Sequence, residues 1–132
     1  MKSDQVMHIH QERLCIALGD RTRIAILYLL GRRPRHVTPL VAALGLPQAT
    51  VSRHLRVLRE QGLLVARRQA NRIEYRLKEK RLLRLLRLLR AIVADQLRRD
   101  LRAATRVRRR KTRASRSRRS ASGQPSSAAA VW

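Results

Sequence analysis

Apolar residues recur at helical spacing through residues 37–62. Val41 and Leu44 come first, and Val51, Leu55 and Leu58 follow a break at Gly45-Leu46-Pro47. A glycine at a helix end takes the left-handed conformation that other residues resist, and a proline suits the start of the next helix. The pattern predicts two short helices joined by a tight turn, the layout of a helix-turn-helix. Upstream, residues 5–18 predict a first helix with Val6, Ile9, Leu14, Ile16 and Ala17 available for burial. Gly19-Asp20 breaks it, and Asp20 or Thr22 is placed to cap the next helix. That helix, 21–30, is apolar on nearly every side and should be central to the core; Gly31 ends it, and 32–36 reads as a loop. Downstream, Leu63-Leu64-Val65-Ala66 suits a strand and Gln69–Asn71 a turn, with Asn71 tolerant of unusual dihedrals. Ile73, Tyr75 and Leu77 then alternate with Arg72, Glu74 and Arg76, the period of a half-buried strand. A long helix over 79–103 follows, with Leu82, Leu85, Leu86, Leu89, Ile92 and Val93 in one arc and Arg81, Arg84, Arg87 and Arg90 opposite.

The second helix of the helix-turn-helix separates chemistry as well as polarity. At about 100° per residue, Val51, Leu55 and Leu58 share one face, while Ala49, Arg53 and Arg56 lie opposite, with Gln48 and Ser52 on the N-terminal flank. A guanidinium matches guanine, an amide matches adenine, and hydroxyls such as those of Ser52 and Thr50 match phosphate. His54 sits on the flank, where packing or a phosphate contact suits it. The β-hairpin that follows forms a wing. Arg67, Arg68 and Arg72 crowd its tip beside Asn71, where phosphate or minor-groove contact is the expected role.

Charge sharpens this picture. The 132 residues carry a formal net charge of +24, which attracts polyanions: DNA, RNA or an anionic membrane surface. Aromatics are only 2% of the chain, with no Phe, so an RNA-stacking platform is missing and the core must be aliphatic. The Leu/Arg segregation of the long helix also suits a membrane-surface helix or a general nucleic-acid binder, but a complete winged unit precedes it. No secretory leader or membrane span is evident, and no membrane partner is expected. One Cys excludes an internal disulfide and suits a reducing cytoplasm, so the expected location is the cytoplasm, at the nucleoid. No Gly-rich phosphate loop, zinc-protease motif or nucleophile–base pair is present, so no enzyme is expected. From residue 104 nine basic residues are mixed with Ser, Thr and Ala, and no acid follows Asp100. That composition predicts a disordered tail acting as a sequence-independent DNA clamp, with linker-like sequence from residue 120.

Leu18-Gly19-Asp20-Arg21-Thr22-Arg23, then ILYLL, then ALGLPQATVSRHLRVLREQGLL, then a wing closing on Glu74-Tyr75-Arg76-Leu77, resembles the ArsR-type (ArsR/SmtB-like) family. These are dimeric winged-helix repressors of bacteria, many of them metal sensors. The resemblance implies a homodimer that binds double-stranded DNA at an inverted-repeat operator and leaves it on binding an inducer. It also implies that the first and last helices form the dimer interface, through Val6, Ile9, Leu82, Leu85, Leu86, Leu89, Ile92 and Val93. Aligned through LVAALGL, the family's first metal-binding Cys position holds His36, the second holds Thr38 and the Asp position holds Pro39. At the family's C-terminal-helix site, Glu79 and Arg81 stand for one ligand pair and Ile92 and Asp95 for the other, with both histidines gone. A hybrid set of Cys15, His8, His10 and a partner's equivalent of His36 is the remaining metal or redox candidate; otherwise no cofactor is expected. The fold expected is mainly α with a small β-hairpin, a winged helix-turn-helix over 1–103, followed by a disordered basic tail over 104–132.

Overall fold

A computed structural model describes residues 1–123 of the protein. The element order is α1 (Lys2–Leu18), α2 (Arg21–Arg32), β1 (Arg35–His36), α3 (Val37–Leu44), α4 (Gln48–Glu60), β2 (Leu64–Gln69), β3 (Arg72–Leu77) and α5 (Arg81–Ala121). This is a winged helix-turn-helix: helices carrying a small antiparallel sheet of order β1-β3-β2.

Local chemistry explains the breaks. Asp20 caps α2, its Oδ1 accepting from the backbone N–H of Thr22 at 2.8 Å and of Arg23 at 3.0 Å. Those bonds favour the carboxylate, so the Asp20 pKa is lowered, the Arg23 N–H being the largest cause. Gly45 ends α3 at φ 63°, the left-handed conformation expected there. Pro47 is the N-cap of α4, and its carbonyl receives the Val51 N–H at 3.1 Å. At the wing tip Ala70, rather than Asn71, takes the positive φ, at 51°. Glu79 precedes α5 and accepts from the Arg81 backbone N–H at 3.1 Å and its Nε at 2.8 Å. The Arg81 side chain holds the Glu79 pKa down to about 2.

The core is aliphatic. Ile26, Leu27 and Leu30 of α2 pack with Leu40 of α3 and with Val51, Leu55 and Leu58 of α4. Leu63, Leu64, Tyr75 and Leu77 close it from the wing side, and Leu82 and Leu86 of α5 complete it. Gly31 lies inside α2 rather than ending it. A Cβ there would stand 2.7 Å from Leu83 Cδ2, so the glycine makes room for the start of α5.

Three further expectations are corrected. The loop predicted over 32–36 contains β1, whose Arg35 pairs with Tyr75 and His36 with Glu74. The first hairpin strand runs on to Gln69 rather than stopping at Ala66, and pairs with the expected second strand in register from Leu64↔Leu77 to Gln69↔Arg72. The tail predicted as disordered from residue 104 is helical to Ala121. Charge repulsion argues for disorder, but Arg and Ala are strong helix formers and no Gly or Pro occurs between residues 104 and 122. Hydroxyls fold back onto the helix as well, Thr105 Oγ1 donating to Leu101 O at 2.8 Å and Thr112 Oγ1 to Arg108 O at 2.9 Å. The linker-like reading of residues 124–132 lies outside the described residues. By compactness, Met1–Leu88 forms one unit and a second begins at Leu89. Among the described residues, no helix is long and apolar enough to cross a membrane.

Candidate nucleic-acid interface

The two faces of α4 are sharply divided. Val51, Leu55 and Leu58 are 0% exposed, and they fix the roll of the helix against α2 and α3. That roll leaves Gln48, Ala49, Ser52, Arg53 and Arg56 exposed and Thr50 half-buried. Arg53 and Arg56 make no ion pair among the described residues. Their guanidiniums are therefore available to a base edge or a phosphate.

His54 is half-buried, on the flank of α4, and is held from below by Arg23. Arg23 Nη1 lies 3.4 Å from His54 Nδ1, while its Nε donates to Ala17 O at 2.6 Å and its Nη2 to Ile16 O at 3.1 Å. Guanidinium nitrogens only donate, so His54 Nδ1 is the acceptor. Spacing along the chain gave no sign of this link, because its partners lie 31 residues apart.

The wing carries the second group. Arg67, Arg68, Asn71 and Arg72 are all exposed. Arg67 stands opposite Glu74 in the ladder, but the Glu74 carboxylate bonds Arg76, at 3.2 Å. Between the wing tip, the start of α3 and the start of α4 lies a cleft of about 430 Å³. It brings Gln48 together with Asn71 and Arg72, and adds His36 and Thr38, which were not expected at this interface.

Of the candidate metal ligands, His36 lines this cleft, while His8, His10 and Cys15 do not. His8, His10 and Cys15 are exposed on α1. His36 Nδ1 donates to Ile73 O at 3.3 Å, so one of its nitrogens is already used. Thr38 and Pro39 offer no thiolate or carboxylate. Among the described residues no three His, Cys, Asp or Glu side chains are grouped to hold a metal ion.

Of the proposed dimer residues, Val6, Ile9, Leu85, Leu89, Ile92 and Val93 are exposed. Leu82 and Leu86 are not; at 4% and 3% exposure they belong to the core of their own domain and have no surface to offer a partner. Met7, Ile16, Leu88, Leu97 and Leu101 are further exposed apolar residues of α1 and α5.

Comparison with known proteins points to a family of bacterial regulators. Residues 20–65 match the model of a family described as "Bacterial regulatory protein, arsR family". The arsenical resistance operon repressor of Escherichia coli (strain K12) is 44% identical over 61 residues, 46% of this chain and 52% of its own. The regulator NmtR of Mycobacterium tuberculosis is 41% identical over 69 residues, 52% of this chain and 58% of its own. The chain thus spans about half the length of these curated relatives. Among solved structures, a homodimeric winged helix-turn-helix DNA-binding domain from Mycobacterium bovis is described as a possible ArsR-family transcriptional regulator. It superposes with a TM-score of 0.62 at 33% identity, over 70% of this chain and 84% of its own.

Proposed function

This chain belongs to the arsR family of bacterial regulatory proteins, and on that premise we propose that it is a sequence-specific transcriptional repressor. It acts as a homodimer on an inverted-repeat operator in double-stranded DNA. The observation that carries this reading is the division of α4: three side chains with no exposure hold it, and Gln48, Ser52, Arg53 and Arg56 stand free on the other side. Arg53 and Gln48 read base edges, Ser52, Thr50 and Arg56 assist, and the wing arginines set the position on the backbone. The exposed apolar residues of α1 and α5 supply the contact between protomers, and a two-fold pair presents two reading helices to two half-sites. The basic end of α5 adds affinity for any duplex. The protein works in the cytoplasm, at the nucleoid, without catalysis and without a resident metal or other cofactor.

The test is selection from a pool of random duplexes by the full chain. The expected result is enrichment of an inverted repeat with half-sites about one helical turn apart, each duplex binding two protomers. Recovery of unenriched sequence, or one protomer per selected site, overturns the reading.

A further inference from the structure

A helix lying in a major groove and a wing reaching the adjacent minor groove are separated on DNA by one sugar–phosphate strand. In this protein the space between those two elements is the cleft of about 430 Å³, walled by the start of α3, the start of α4 and the wing tip. We propose that this cleft seats one phosphodiester of the DNA backbone, with the Thr38 hydroxyl, the Asn71 amide and the Arg72 guanidinium as its polar contacts. The inference rests on the DNA-binding reading above and adds to it a contribution from α3.

The chemistry of the lining suits an anion. No Asp or Glu lines the cleft, and Arg72 makes no ion pair among the described residues. Thr38 and Asn71 are exposed and donate hydrogen bonds through groups that carry no charge. A guanidinium with two neutral donors is a common set for a phosphate oxygen pair. The cleft is also held in shape. His36 Nδ1 donates to Ile73 O at 3.3 Å, and β1 pairs with β3 through His36 and Glu74, so the start of α3 is tied to the wing. His36 is a positioning residue here: it fixes the distance between Thr38 on α3 and Arg72 on β3. Gln48 lines the same cleft from the first turn of α4, so a phosphate seated there sets the register of the reading helix.

The test uses the full chain and the selected operator, with single methylphosphonate substitutions that remove the charge of one phosphate at a time. One substitution per half-site is expected to weaken the wild-type protein about tenfold. The same substitution should have little further effect on the Thr38→Val/Arg72→Gln double variant. Arg72→Gln alone should lower the salt slope of binding by about one per protomer. Both positions are exposed, so thermal melts of the variants should match that of the wild type. His36→Phe should shift the methylphosphonate pattern as well as weaken it, because the wall moves. Free phosphate is the other source of this chemistry. Resonances of Thr38 and Arg72 that move with duplex but not with millimolar inorganic phosphate favour the backbone; the reverse overturns it. If the double variant suffers the full methylphosphonate penalty at every position, this inference fails while the operator reading stands. If the wild type selects no duplex, the operator reading itself fails.

Discussion

Truncation after Ala103 removes nine cations, all of them on the exposed end of α5. The folded core is untouched, because every core residue lies within Met1–Leu88. The magnitude follows from the helix. At about 100° per residue the nine side chains point to all sides of the axis, so a duplex lying along one side meets about half of them. Each neutralised phosphate contributes about 0.9 to the slope of log affinity against log salt, so the truncated protomer should lose about 4 from that slope. Between 50 and 200 mM salt, a term of that size changes affinity roughly 200-fold, whereas an extended tail engaging all nine cations would lose about 8 and change it roughly 10⁵-fold. The assay is fluorescence anisotropy with operator and mixed-sequence duplexes across that salt range, for full-length and truncated protein. Both duplexes should weaken alike. An unchanged slope refutes the clamp, and a loss near 8 refutes the claim that the segment binds as a helix.

Arg53→Ala should cost about 1–3 kcal/mol on operator DNA and far less on random DNA, so competition between the two measures it; equal losses would assign Arg53 to the backbone. Leu55→Ala, at a position with no exposure, should destabilise by roughly 2–5 kcal/mol in urea, whereas Ser52→Ala should stay within about 0.5 kcal/mol. Asp20→Ala removes a cap that receives two N–H bonds and should cost about 1 kcal/mol at neutral pH. The sign with pH follows from a folded pKa lying below the ordinary 3.8. The wild type holds this stabilisation at pH values above 3.8 and loses it as pH falls through the lower folded value, so acid titration of stability should be flatter for Asp20→Ala.

Much of the candidate interface is legible in the chain because periodicity reports which face of α4 is buried. Val51, Leu55 and Leu58 recur at the helical interval, and nothing competes with that signal. The wheel of α5 shows the limit of the same method. It groups Leu82 and Leu86 with Leu85 and Leu89, but cannot say that the first pair joins the core while the second pair stays exposed. β1 has two residues and no period of its own, so only its pairing with Tyr75 and Glu74 reveals it. His36 aligns with a metal-ligand position in the family, yet its ring bonds the Ile73 carbonyl beside the cleft, a contact across 37 residues. At the end of α5 the helix preferences of Arg and Ala outweigh the charge repulsion that favours disorder.

Arg23 has one further consequence. A single planar group grips two carbonyls in the last turn of α1 and the imidazole of His54 on α4. The end of α1 and the flank of α4 are therefore joined through one side chain of α2. Lysine would keep the charge but, with one nitrogen, could not hold all three partners at once.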